Sequence, residues 1–458
     1  MRRSLGTPVL ILAALATGGA ELADPAQDPA LPPATDESVQ KDRPSESQSA
    51  GQPTSQPAAE DAQPEPFLGV LSNHRITGDW GGARTALEAK GIEFNLQLTT
   101  IYQQNFHGGV RTHRGHDITG RADTELTLST EPMGLWKGGT FYTFAESGWN
   151  DAIDDRIDDI FGVNAAALGD EEIRVRELWY EQTFLDEKIR VKFGKYDMAV
   201  DVDTNAYANY EITQFMNGAL VNTGNIPLPD FGIGGVVSIQ PTEWFYTTFA
   251  MGDAQANGDQ TGLNTAFHDE DYFLYVTEFG FMPVWETAWG KLPGGYRFGL
   301  WYDPQPKEEF FNDLGGRRRT IPTKRDDVGF YFNMDQMVFK ENPENDGDTQ
   351  GFGLFFRYGY AHSDVNEVEH FWSVGGQYQG LIPTRDNDVL AFGFAQGILS
   401  RRLQALENRD RESAYELYYN IELAPWCHLS PNLQYVANPA GGGSRDALVG
   451  GLRLQMAF

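Results

Sequence analysis

The sequence predicts an all-β protein, a transmembrane antiparallel β-barrel of about sixteen strands with a short N-terminal helix. Three observations predict it. Apolar and polar residues alternate over segments of about ten residues, and the connections between those segments are alternately short and long. No segment after the first twenty residues is long and apolar enough to span a bilayer as a helix.

The alternation is clearest at the end of the chain. Leu448, Gly450, Leu452, Leu454, Met456 and Phe458 share one face, and Val449, Gly451, Arg453, Gln455 and Ala457 share the other. Tyr415, Leu417, Tyr419, Ile421 and Leu423 stand likewise against Glu416, Tyr418, Asn420 and Glu422, and Phe352, Leu354, Phe356 and Tyr358 against Phe355 and Arg357. A soluble sandwich would alternate as well, so connection length has to separate the two architectures. Short connections occur at 183–188, 240–243 and 383–388, and long ones at 147–172, 197–234, 303–326 and 400–412, as a barrel with one short-turn rim and one long-loop rim requires. Tyr102, Trp244, Tyr302 and Tyr378 near strand ends fit interfacial girdles. The terminal Phe458, on an amphipathic last strand, resembles the signal read by the outer-membrane barrel-assembly machinery.

Composition sets the remaining bounds. The 458 residues are 40% hydrophobic and 13% aromatic, with 50 glycines. Arg2 and Arg3 precede the apolar run Pro8 to Ala16, and Gly18 and Ala20 supply small residues, so residues 1–20 read as a signal peptide cleaved after Ala20. Residues 21–66, rich in Pro, Gln, Ser and Ala with almost no large apolar side chain, read as a disordered linker. Residues 67–91 form an N-terminal motif with a short helix at the periplasmic mouth, and 92–458 the barrel. Cys427 is the single cysteine, which excludes an intramolecular disulfide, and the formal charge of -30 argues against nucleic acid as a partner.

The run Gly78-Asp79-Trp80-Gly81-Gly82-Ala83-Arg84-Thr85-Ala86-Leu87-Glu88-Ala89-Lys90-Gly91-Ile92 resembles the opening signature of carbohydrate-selective porins of the OprB family. Arg176-Glu177-Leu178-Trp179-Tyr180-Glu181-Gln182, leading to Lys192-Phe193-Gly194-Lys195-Tyr196-Asp197, resembles that family's next block. Gln434-Tyr435-Val436-Ala437-Asn438-Pro439 and Gly451-Leu452-Arg453-Leu454 resemble its closing one. The resemblance spans residues 71–458 and implies an outer-membrane barrel through which small carbohydrates diffuse passively. The acidic loops and the Pro-rich leader lie outside it. Physically, Arg84 to Lys90 is a helix former ended by Gly91, with Asp79 placed to cap it and Trp80 to pack beneath it. Arg84 either pairs with a wall carboxylate or faces solute.

A sugar offers hydroxyls around an apolar ring face, so a selective lining needs charged or amide groups beside flat aromatic surfaces. If Leu178, Tyr180 and Phe184 face lipid, then Glu177, Trp179 and Glu181 face the lumen. The same parity turns Arg190 and Lys192 inward against Ile189, Val191 and Phe193. It also turns in Arg121, Asp123 and Glu125, Arg297 with Trp301, Arg357 and Arg453. These, with Arg84, are the candidate pore-lining residues, weighed against a polar lining that only keeps charge out of lipid. Arg174 and Arg176 share the parity of Leu178, and a bulge near Arg176 or an early exit from the membrane would remove the conflict. The 197–234 segment is the third long loop, and folded inward it would narrow the channel with Asp201, Asp203, Asn205, Tyr207, Asn209, Tyr210, Glu211 and Gln214. The alternative is an outer lid.

Asp151, Asp154, Asp155, Asp158 and Asp159 cluster in the second long loop without the ligand ladder of a calcium site, and His107, His113 and His116 read as surface histidines, so no metal and no cofactor is expected. No Gly-x-Ser-x-Gly elbow or Ser, His and acid grouping suggests an enzyme. Expected partners are permeating sugars, outer-membrane lipids and lipopolysaccharide, and the assembly machinery. A general small-solute porin and a soluble sugar-binding β protein are the alternatives.

Overall fold

A computed structural model describes residues 74–256, 261, 270–310, 322–345 and 348–458. The signal peptide and linker read from the sequence lie outside the described residues. Sixteen strands form the barrel. They are β1 (Ile92–Gly109), β2 (His116–Ser129), β3 (Gly139–Trp149), β4 (Glu171–Phe184), β5 (Ile189–Tyr196), β6 (Gly232–Thr242), β7 (Phe245–Asp253) and β8 (Phe273–Phe281). The second half is β9 (Gly290–Asp303), β10 (Asp327–Lys340), β11 (Gly351–Ala361), β12 (Val368–Gln379), β13 (Val389–Leu399), β14 (Arg411–Ala424), β15 (Cys427–Ala437) and β16 (Arg445–Ala457). Each strand pairs antiparallel with its sequence neighbours, and β1 closes on β16 through pairs such as Leu98 with Met456 and Tyr102 with Leu452. Closure gives every strand two hydrogen-bonded neighbours, which is the condition for placing a sheet in hydrocarbon.

The faces follow the alternation. Leu178, Phe193, Phe298, Leu300, Phe392, Leu417 and Leu452 are exposed on the outside, while Arg121, Arg297, Arg357 and Arg453 are almost fully buried inside. Outward aromatics meet across strands, as in Phe394 with Tyr415 at 4.6 Å and Phe141 with Tyr180 at 4.7 Å between ring centroids. In a soluble sandwich these rings would need a second layer, and the closed sheet leaves them facing outward.

The Arg176 conflict resolves as a bulge. Phe144 pairs with Glu177 but Ala145 pairs with Val175, so Arg176 is the extra residue of β4. The bulge restores parity upstream: Arg174 now lies opposite the inward Glu146, and Arg176 turns inward to bond the same carboxylate.

The N-terminal segment docks under the β1–β16 seam. The Ile76 N–H bonds to the Ala457 carbonyl, and the Phe458 N–H bonds to that of Leu96. Helix α1 (Ala83–Glu88) follows a single turn of 3-10 helix over Trp80–Gly82. The Asp79 carboxylate accepts bonds at 2.8 Å from both the amide and the hydroxyl of Thr85, which satisfies a first-turn N–H of the helix, whose N-cap is Gly82. Gly91, with φ +77°, ends the motif where a Cβ would meet the Ser129 carbonyl oxygen at 2.5 Å.

Two long loops enter the barrel. L2 (150–170) joins β3 to β4, and L3 (197–231) joins β5 to β6. Phe215, Ala219 and Leu220 of L3, with Phe161 of L2, form one buried apolar cluster with Phe355, Phe371, Ala391 and Tyr418 of the wall. Val202 and Ile226 of L3 join Val236, Val276, Trp301 and Tyr331 in another. The wall is trimmed to receive them: a Cβ on Gly353 would lie 2.0 Å from the Tyr207 ring.

Candidate channel lining and constriction

β2 turns Arg121, Asp123 and Glu125 into the lumen. The Arg121 guanidinium donates to Asp123 at 2.9 Å, to Glu211 of L3 at 3.1 Å and to Glu146 of β3 at 3.2 Å. One cation among three buried carboxylates thus ties two wall strands to the inward loop. Glu125 accepts from Asn95 at 3.4 Å.

β4 and β5 carry the next group. Arg190 donates to Glu181 at 2.9 Å and to Asp201 at 2.7 Å, and Lys192 donates to the other Asp201 oxygen at 3.0 Å. Trp179 donates its indole N–H to Glu177 at 2.9 Å. Its ring stacks on Tyr142 of β3 at 4.7 Å, and the Lys192 ammonium sits 4.4 Å from its centre. Burial alone would raise the Asp201 carboxyl, but Lys192 and Arg190 together hold it below the usual carboxylate range.

Across the barrel, Arg297 of β9 pairs with Asp335 of β10. Arg357 of β11 donates to the Asp203 carbonyl at 3.3 Å and to that of Leu220 at 3.4 Å, and its Nε stands 3.6 Å from the Asp203 carboxylate. Arg453 of β16 donates to the Glu211 carbonyl at 2.6 Å and to the Ser430 hydroxyl at 3.3 Å. Trp301 is buried inside, with the Lys307 ammonium 5.8 Å from its ring centre.

L3 lies inside the barrel and is bonded to several of its walls. Asn333 of β10 donates to the Asp203 carboxylate at 2.8 Å and accepts from Asn205 at 2.7 Å. Asn209 accepts from the Asn205 amide at 3.2 Å, and Gln214 accepts from the Asn209 and Tyr210 amides at 2.6 and 3.1 Å, which holds the tip of the loop in shape. Tyr207, Tyr210 and Gln214 are half-buried, whereas Asp201, Asp203, Asn205, Asn209 and Glu211 are buried. Arg84 stands apart from this group: it donates to main-chain oxygens of Phe458 at 3.0 Å and Gly78 at 3.2 Å and covers the Trp80 ring at 4.2 Å.

The family model of the carbohydrate-selective porin, OprB family, matches residues 113–458. The chain belongs to that family. Porin B of Pseudomonas aeruginosa is 25% identical over 427 residues, which is 84% of this chain and 91% of that protein. The putative porin QuiX of Acinetobacter baylyi is 24% identical over 424 residues, 84% of this chain and 93% of that protein. Among solved structures, the high-pH structure of Pseudomonas putida OprB covers 85% of this chain and 99% of that chain at 22% identity with a TM-score of 0.74, a likeness of fold. The protein is a carbohydrate-diffusing porin of the bacterial outer membrane.

Several residues of the porin's interior were missed from sequence. Glu146, Glu278, Asn333, Asp335 and Glu416 are all inward and buried. Parity would have turned each of them inward; Glu146 and Asp335 pair with wall arginines, whereas Glu278, Asn333 and Glu416 have partners on L3, whose path alternation does not reveal.

The acidic L2 residues have different partners. Asp155 pairs with Arg111 at 2.8 Å, Asp154 accepts the Val163 amide at 2.9 Å, Asp158 accepts the Ser444 hydroxyl at 2.8 Å, and Asp151 is exposed. Among the described residues no group of His, Cys, Asp and Glu is arranged to hold a metal ion. Burial pushes Asp159 well above the usual carboxylate range, with Asp154 and Glu412 adding to it, and pushes Asp154 up to about 6.

Proposed function

We propose that the solutes best suited to this porin are small uncharged sugars, which cross by passive diffusion past a constriction formed by L3. One observation carries this reading. The cations Arg121, Arg190, Lys192, Arg297 and Arg357 each face a carboxylate within the lumen. The lining is therefore dense in hydrogen-bonding groups and these cations are neutralised by neighbouring carboxylates, which favours a solute rich in hydroxyls over an ion. Half-buried Tyr207, Tyr210 and Gln214 on L3, together with half-buried Arg190 and Glu181 on the wall, supply the polar and aromatic surfaces a sugar would meet.

The porin reaches the membrane after removal of the 1–20 signal peptide. Phe458 engages the barrel-assembly machinery, and the outer aromatics contact lipid and lipopolysaccharide.

Swelling of liposomes loaded with the purified porin tests the function. Neutral mono- and disaccharides should enter faster than uronic acids or amino sugars of equal size. Rates that follow size alone, whatever the charge or hydroxyl content, would leave a general small-solute porin.

A further inference from the structure

Two wall carboxylates outside the proposed lining hold the L3 backbone itself. On β14 the inward face reads Glu412, Ala414, Glu416, Tyr418, Asn420. Glu416 accepts the Met216 amide on Oε1 at 2.9 Å and the Asn217 amide on Oε2 at 2.8 Å, and Asn432 donates to it from β15. On β8, Glu278 accepts the Asp203 amide at 2.9 Å and the Tyr331 hydroxyl at 2.6 Å on Oε2, and the Tyr246 hydroxyl at 2.7 Å on Oε1. Both carboxylates are almost wholly buried.

These bonds run to main-chain N–H groups, so they fix where the loop lies whatever side chains it carries. They also bracket its inner stretch: one anchor is at residue 203, the other at 216 and 217, and Tyr207, Tyr210 and Gln214 lie between them. The apolar contacts of Phe215 and Leu220 with the wall hold the loop inside but are non-directional. Charge-assisted bonds to a carboxylate are short and directional. Apolar packing therefore keeps L3 in the barrel, and directional bonds set its position within it, those to the two carboxylates acting together with the bonds from Arg121, Asn333, Arg357 and Arg453.

We propose that Glu278 and Glu416 are positioning residues that set the aperture of the channel. This rests on the reading of L3 as the constriction. Loss of either anchor leaves the loop inside but releases its inner stretch from the wall position these bonds fix, so the aperture changes and fluctuates.

The test is planar-bilayer conductance in potassium chloride, with liposome swelling over a graded series of oligosaccharides, on Glu278→Gln, Glu416→Gln and the double variant. Glutamine keeps the shape but turns one acceptor oxygen into a donor, so at Glu416 one of the two L3 amides loses its partner. Single-channel conductance should change by about twofold in the double variant, with more open-channel noise and a shifted size cut-off for saccharides. A merely structural role would lower the yield of heat-modifiable barrel and leave the conductance of each channel unchanged. Folded variants with wild-type conductance and cut-off overturn the proposal. Should the glutamine variants not fold, Glu278→Asp and Glu416→Asp carry the test, because a carboxylate one methylene shorter keeps the charge and moves the amide: a changed conductance supports the assignment and an unchanged one overturns it. Ion conductance reads the aperture even if wild-type channels exclude sugars, so failure of the sugar reading and failure of these anchors remain distinguishable.

Discussion

Arg121 and Glu211 meet at 3.1 Å inside the barrel, one on the β2 wall and the other on the inward loop, 90 residues apart in the chain. Both are almost completely buried, and the same guanidinium also serves Asp123 and Glu146. Replacing Arg121 with Ala removes the cation shared by three carboxylates, of which Glu146 keeps Arg176. Removing one partner of a buried pair costs about 3–5 kcal/mol, so Arg121→Ala should lower the temperature at which the folded band converts on a gel far more than Glu211→Gln does. Equal small shifts for both variants would show that the cluster is hydrated and weak.

The β1–β16 seam offers a second measurement. Arg84 bonds the Phe458 and Gly78 main-chain oxygens and covers Trp80, so its role in the structure is to hold the N-terminal motif against the last strand. Hydrogen bonds to charged groups contribute about 1.5–3 kcal/mol each. Arg84→Ala, which removes two of them, should destabilise the barrel by about 3 kcal/mol or more without altering sugar flux, and deletion of Phe458, which also removes its amide bond to Leu96, should reduce assembly while secretion continues. A flux change at normal stability would return Arg84 to the channel lining.

Which side chains face inward was legible in the sequence, because alternation is a property of the strand alone. Arg121, Arg297, Arg357 and Arg453 all lie where parity put them. Their partners were not legible. Arg357 meets Asp203 and Arg121 meets Glu211 only because L3 returns through the lumen, and the path of a returning loop depends on packing against glycines and alanines of distant strands. Arg176 shows the other limit: a single extra residue in β4 inverted the parity, and only pairing with β3 locates it. By parity alone Glu278 and Glu416 would be no more than inward acids, since nothing in their own strands records which amides they accept.

L2 should respond to pH. Asp159 sits well above the usual carboxylate range through burial, reinforced by Asp154 and Glu412, and burial brings Asp154 to about 6. A carboxyl raised on docking binds its proton more tightly in the docked loop. Its contribution is therefore complete below the ordinary value of about 4 and is lost as pH rises through the raised value. The Ile160 and Val163 amides, which donate to Glu412 and Asp154, should exchange with solvent more readily at about pH 8 than at about pH 5 after correction for intrinsic rates. Asp159→Asn should flatten that difference. Protection independent of pH in the wild-type chain would mean that these carboxyls are hydrated in the membrane-bound porin.

Inside and outside substitutions should separate fold from permeation. Leu452 is outward on β16, and Leu452→Arg near the bilayer midplane should cost about 2–4 kcal/mol of barrel stability with little effect on flux. Trp179→Ala removes an indole that stacks on Tyr142, carries the Lys192 ammonium and bonds Glu177, all within the lumen. It should change sugar discrimination while the amount of folded barrel stays near normal. Neutralising Arg190 and Lys192 together is a different perturbation, because both hold Asp201 at the root of L3. With both cations gone only burial acts on that carboxyl, which then rises above the usual range, so this double variant should change conductance with pH at values where the wild type is flat. If all three variants alter stability alike and leave swelling rates untouched, the β4–β5 face is scaffold, and selectivity must reside in the L3 stretch between its two amide anchors.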